Sequence, residues 1–306
     1  MAFTAKDVAE LRRQTGCGMM DCKNALVAAD GNFDEAIKVL REKGMAATAK
    51  KASRIAAEGI VDILTEGNVT AMIEVNSETD FVAKNESFRA FVRDILKTII
   101  AERPADVEEL MEKKINDAQT VKEALEEKTF TIGEKLSLRR FIIVDGVVST
   151  YIHGGGATGV IIKFEADDAA VANAGFAEFA KNIALQAAAM PCLYVDKDAV
   201  PASAIEEEKA ILAKQMEQDP KFAGKPEKVL AGIIAGKLGK YYETNCLVEQ
   251  AYVKDDSLTV GKYVNACAKE FGGAIKVVAF YRYDKGEGIQ KREENFAEEI
   301  AKLAGK

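Results

Sequence analysis

The spacing of apolar positions changes character several times along this 306-residue chain. "TAKDVAELRRQTG" begins at a Thr suited to capping, places Val8 and Leu11 at helical spacing and stops at Gly16. "GMMDCKNALVAADG" predicts a second helix before Gly31, and "NFDEAIKVLREKG" a third, capped by Asn32 or Asp34 and ended by Gly44. The charged, Ala-rich residues that follow, to about Arg54, read as a linker or as an extension of that helix. From Ala56 the pattern turns β-like: "GIVDILTE" and "VTAMIEVN" flank Gly67-Asn68, a hairpin signal. "SFRAFVRDILKTII" then sets Phe88, Phe91, Val92, Ile95, Leu96 and Ile99 on one helical face, ended by Pro104. A polar helical stretch (106–128) precedes two strands, "LSLRRFIIVDG" and "VVSTYIHG", joined at Asp145-Gly146.

An internal repeat organises the middle of the chain. A shift of 88 residues lays "AMIEVNSETDFVAKNESFRAFVRDI" over "GVIIKFEADDAAVANAGFAEFAKNI". Ile73 then meets Ile161, Asp80 meets Asp168, Phe88 meets Phe176 and Phe91 meets Phe179, so the strand and the helix stripe fall into one register. Two copies of a strand–turn–helix unit predict an α+β fold: a small N-terminal three-helix domain, a duplicated antiparallel-sheet-plus-helix core, and an inserted antiparallel helical hairpin. The hairpin is "ASAIEEEKAILAKQMEQD" and "PEKVLAGIIAGKLGKYYE", joined by "PKFAGKP". The expected domains are 1–45 (three helices), 46–55 (linker), 56–145 (first core copy), 146–200 with 245–285 (second core copy), 201–244 (hairpin) and 286–306 (C-terminal module, reading as an amphipathic helix).

The turn "EVNSETDFVAKN" (74–85) poses the chemical question, because it carries a large apolar residue where turns favour small polar ones. The second copy builds the same turn with Ala169 and Ala170 in place of Phe81 and Val82. Asp80 recurs as Asp168, and helix capping suffices to explain it. Phe81 is therefore either a local staple or a residue displayed for another molecule to bury.

Composition narrows the function classes. A net charge of −7 argues against nucleic-acid or acidic-membrane binding, and the basic run "AATAKKASR" (46–54) reads as a solvated linker. Five cysteines suggest no disulfide framework, and a single histidine leaves little material for a zinc site or a catalytic triad. "GGGATG" (154–159) formally matches a dinucleotide fingerprint, but a strand follows where a helix is required, so it reads as a hairpin or bulge. No cofactor, metal or covalent chemistry is expected. A weaker enzyme reading would use Cys17 or Cys22 as nucleophile. No signal segment or membrane span is apparent, so a cytoplasmic location is expected.

Two segments, "LRRQTGCGMMDCKNAL" (11–26) and "EVNSETDFVAK" (74–84), closely resemble the signature segments of the elongation factor Ts family, whose domain order the chain also follows to "GEGIQK" (286–291). The resemblance implies a guanine nucleotide exchange factor of translation that binds elongation factor Tu carrying GDP and dislodges its Mg²⁺. It implies an N-terminal domain of the ubiquitin-associated type and pairing of two copies through 201–244. Thr79, Asp80, Phe81 and Val82 would form the element that displaces the metal, and His153 a further partner contact. Some relatives carry Arg or Lys shortly after that histidine, where this chain has Ala157 and Thr158; Cys17 stands where a small Gly or Ala is usual. The alternative is a protein-binding scaffold of the same architecture without exchange activity.

Overall fold

A computed structural model describes residues 3–222 and 225–290. The helix expected toward the C-terminus lies outside the described residues from 291 onward, as does part of the "PKFAGKP" turn. Three helices come first: α1 (Ala5–Thr15), α2 (Met19–Ala28) and α3 (Phe33–Lys51). At the start of α1 the Thr4 N–H and hydroxyl both donate to Asp7 Oδ2, at 2.6 and 2.7 Å. Asn32, not Asp34, caps α3, accepting the Glu35 N–H at 3.1 Å. Val8, Leu11, Cys22, Leu26 and Leu40 close a small core between the three.

Gly44 does not end α3, contrary to its reading as a stop. The helix continues to Lys51, and Gly44 is buried against a later helix, α7 (Val121–Ile132). A Cβ at that position would lie 3.6 Å from the Glu126 carbonyl oxygen and 3.7 Å from Phe130 Cβ. The glycine serves a close helix approach, which sequence cannot distinguish from termination without knowing the partner. Phe130 of α7 packs on the N-terminal core while Val121, Ala124 and Leu125 enter the next one. The polar stretch thus bridges two cores. It holds two helices, α6 (Val107–Glu112) preceding α7.

The first copy opens with β1 (Glu58–Glu66) and β2 (Val69–Ser77), antiparallel with Glu66 opposite Val69. Gly67 takes φ +58°, supplying the left-handed residue that a two-residue hairpin needs. A short helix α4 (Asp80–Lys84) and the long α5 (Glu86–Glu102) follow, and β3 (Ser137–Asp145) completes a sheet of order β1-β2-β3. Asn85 ends α4 and caps α5, its side chain accepting the Ser87 N–H at 2.8 Å. The face of α5 read from its apolar spacing is buried, and full burial of each Phe, Ile or Leu stabilises by about 1.5–3 kcal/mol.

The second copy begins with β4 (Val147–His153) and β5 (Thr158–Ala166), then α8 (Asp168–Val171) and α9 (Phe176–Ala189). Moving β2, α4 and α5 forward by 88 positions lands on β5, α8 and α9 to within two residues at each end. Gly146 joins strands of different sheets, since β3 pairs with β2 and β4 with β5. The glycine-rich run is the β4–β5 turn, with His153 opposite Thr158. The inserted hairpin is α10 (Ala202–Gln218) and α11 (Glu227–Asn245), with Leu212, Met216 and Leu238 buried and Ile211 and Val229 exposed. The chain returns through β6 (Ala251–Tyr252), β7 (Asp255–Thr259), α12 (Val260–Phe271) and β8 (Ile275–Asp284), which completes a sheet of order β4-β5-β8. Antiparallel sheets carrying helices make an α+β fold.

The chain forms two compact units. Among the described residues, one contains 3–143, 154–157 and 283–290; the other contains 144–153, 158–222 and 225–282.

Candidate functional site

Ser77 ends β2, and the next residues must turn the chain into α5 while keeping their backbone groups bonded. Thr79 is the N-cap of α4, yet its hydroxyl makes no capping bond. It donates instead to Glu134 Oε1 at 2.7 Å, and the Thr79 N–H donates to Glu134 Oε2 at 2.9 Å. The Ser77 hydroxyl donates to the Thr79 carbonyl at 2.8 Å. On the far side of the helix, Arg89 donates to the Ala83 carbonyl at 2.9 Å and to the Gly155 carbonyl at 2.8 Å. The short helix is therefore tied down at both ends.

Asp80 is the first helical residue rather than the cap, and Asp168 holds the same place in α8 behind Asp167. Its carboxylate pairs with Lys84 one turn on at 2.6 Å, and that hydrogen bond holds the carboxyl below its usual range. Lys84 Nζ also lies 6.0 Å from the centre of the Phe81 ring. Val82 and Ala83 point into the first copy's core, with Val82 only 7% exposed. Phe81 points the other way. At 79% it is the most exposed large apolar side chain among the described residues, so the local-staple reading fails.

The four residues of the turn thus divide by role. Thr79 anchors, Asp80 pairs, Val82 fills the core, and Phe81 alone offers an unspent apolar surface. His153 belongs to the other unit, at the exposed end of β4, where its Nδ1 lies 3.2 Å from the Tyr151 hydroxyl. Sequence reasoning singled out neither Glu134 nor Arg89. Both act across long sequence separations, and nothing in their local pattern marks them.

Other chemistry finds little support here. Cys17 and Cys22 are buried in the small N-terminal core, and burial pushes the Cys17 thiol up, away from the thiolate that a nucleophile needs. Burial likewise pushes Cys192 up to about 12 and Cys246 up to about 11. No helix among the described residues is long and apolar enough to cross a membrane.

Comparison with known proteins now bears on this arrangement. The family model described as elongation factor TS matches residues 78–287, which includes the tethered turn from Glu78 onward. Elongation factor Ts of Clostridium kluyveri is 45% identical over 307 residues, covering 98% of this chain and 98% of that protein. Elongation factor Ts of Clostridium botulinum strain Eklund 17B is 45% identical over 309 residues, covering 99% and 100%. Elongation factor Ts of Syntrophotalea carbinolica is 45% identical over 313 residues, covering 99% of each. With a family match over most of its length and relatives alike from end to end, the chain belongs to the elongation factor Ts family of translation elongation factors.

Proposed function

We propose that this protein binds elongation factor Tu carrying GDP and speeds release of the nucleotide by dislodging Mg²⁺ and disturbing the nucleotide site, so that GTP can enter. The observation that carries this reading is the exposed Phe81 on a turn tethered at both ends. A GTPase holds GDP partly through Mg²⁺, a large local charge bridging phosphate and protein oxygens. A factor that favours the metal-free or nucleotide-free state must weaken GDP by the same factor that GDP weakens the exchange factor. Phe81 meets that requirement if its pocket in the GTPase opens only after the metal site shifts. Full burial of a phenylalanine is worth about 1.5–3 kcal/mol, and each 1.4 kcal/mol is a factor of about ten.

Around that wedge the other residues have supporting parts. Thr79 and Val82 fix the turn, Asp80 holds Lys84 beside the ring, and His153 supplies a separate contact with the same partner. No covalent step is involved. Pairing of two copies through the hairpin belongs to the same reading, with Ile211 and Val229 as the exposed apolar residues available for it.

The test is stopped-flow release of a fluorescent GDP from elongation factor Tu. The wild-type protein should accelerate release strongly, and Phe81→Ala should lose roughly ten- to a hundredfold of that acceleration while still binding the GTPase. Binding without acceleration by the wild type would instead mark a scaffold. Equal acceleration by both proteins would leave the exchange function but remove Phe81 from it.

A further inference from the structure

The two core copies hold their short helices in different ways. In the second copy Asp167, the N-cap of α8, accepts the Ala274 N–H at 2.7 Å, and its own N–H donates to the Ala274 carbonyl at 3.0 Å. Ala274 lies in the segment leading into β8, just past Gly272, which ends α12. In the first copy the corresponding segment, just past Gly133 and leading into β3, contains Glu134 and Lys135. There the tie runs in both directions through side chains. Glu134 takes both the N–H and the hydroxyl of Thr79, while Glu78 Oε1 accepts the Lys135 N–H at 2.5 Å. Two carboxylates from separate segments cross-latch them. The second copy has Ala166 where the first has Glu78, and Ala169 where it has Phe81.

The latch has a local consequence. A threonine at an N-cap ordinarily turns its hydroxyl to its own helix. Here that hydroxyl is withdrawn from α4 and given to Glu134. Hydrogen bonds to a carboxylate are stronger than neutral ones, and two on one residue fix its orientation as well as its position. Phe81 follows two residues later, on the first turn of a five-residue helix with no length of its own to hold it still.

We infer that Glu134 is a positioning residue for Phe81: its two-point grip on Thr79 holds the exposed ring at a fixed height and direction, ready to enter a partner. The functional half of this inference rests on the exchange reading above. The positional half does not, and can be measured without a partner.

The chain contains no tryptophan, so Phe81→Trp installs a single reporter at the exposed site. Time-resolved anisotropy of that reporter should gain a fast local component when Glu134→Ala is added. Identical decays with and without Glu134 would overturn the inference. Glu134→Gln keeps the bulk and one acceptor oxygen, and should give an intermediate decay if the alanine variant fails to fold. Asp167→Ala disturbs the equivalent turn of the second copy and should leave the decay of the indole reporter unchanged. A comparable gain of motion from that variant would mean general loosening and count against Glu134.

With elongation factor Tu, Glu134→Ala should lower the maximal GDP-release rate by roughly three- to tenfold while changing the half-saturating concentration less than about twofold. Combined with Phe81→Ala it should add nothing, because its effect passes through the ring; additive losses would overturn the inference. If wild-type protein accelerates nothing, the exchange reading fails while the anisotropy result stands by itself.

Discussion

At residue scale, Phe81 and Val82 are neighbours with opposite tasks. Phe81 is exposed and touches no core, so Phe81→Ala should leave stability within about 0.5 kcal/mol of wild type. Val82 packs among Ile73, Phe88 and Phe91 in the first core, so Val82→Ala should cost about 1–3 kcal/mol through lost burial and a cavity. Urea denaturation of the two variants reads both values, and a stability loss at Phe81 matching that at Val82 would mean that the ring folds back in solution. The sequence showed that something was unusual here, because the second copy makes the turn from alanines. It singled out Phe81 but left open whether the ring folds back or is displayed, and only the direction of each side chain sets Phe81 outward and Val82 inward. Asp80 is ambiguous in the sequence for a related reason. An aspartate before a helix reads as a cap, but the cap is Thr79, and Asp80 reaches forward to Lys84.

At the scale of elements, strands and long helices were legible because their periodicity is carried by many residues at once. The α5 stripe and its repeat 88 positions on survive any single substitution. Gly44 has no such redundancy, and one glycine supports two explanations. The structure chooses helix–helix approach, and the choice is testable. A Cβ at Gly44 would make ordinary contacts of 3.6 and 3.7 Å with Glu126 and Phe130, so Gly44→Ala fits the space. Relief of glycine's helix penalty should make that variant neutral or more stable by about 0.5–1 kcal/mol. Gly44→Leu must push α3 from α7 and should cost about 1–3 kcal/mol. Thermal unfolding of the pair decides the matter: equal, harmless effects would show that α3 and α7 do not pack closely at this point. The bridging role of α7 is not legible in the sequence either. Its apolar residues are few and divided between two cores, which flattens the period on any one face.

At the scale of the whole molecule, the turn depends on a strand that carries a buried acid on the face opposite Ile73 and Val75. Glu74 of β2 has no solvent exposure, and its carboxylate receives the Gly286 N–H at 2.8 Å, the Asn76 amide at 3.0 Å, Arg139 at 3.0 Å and Arg140 at 2.6 Å. Arg140 in turn stacks 4.0 Å from the Tyr283 ring. One side chain thereby fastens the chain near residue 286 to the strand that leads into the Phe81 turn. Burial pushes the Glu74 carboxyl up, but the Gly286 N–H, the Asn76 amide and the two arginines together hold it below its ordinary value of 4.5. A carboxyl lowered in the folded state contributes stability that is complete above its unfolded pKa and fades as pH falls through the folded one. Glu74→Gln should therefore cost about 2–4 kcal/mol at neutral pH, and the gap to wild type should shrink below about pH 4.5. Asp62, whose carboxyl burial pushes up, shifts stability in the opposite sense with pH, but it is present in both proteins and cancels in the comparison. Hydrogen exchange of the β1 and β2 amides under mild denaturant reads the unit that contains Glu74 without mixing in the other. A gap that stays constant down to pH 3 would mean that folding does not lower the Glu74 carboxyl at all. The four donors would then favour the charged acid no more than the neutral one, and the tie between residue 286 and the turn would not depend on charge.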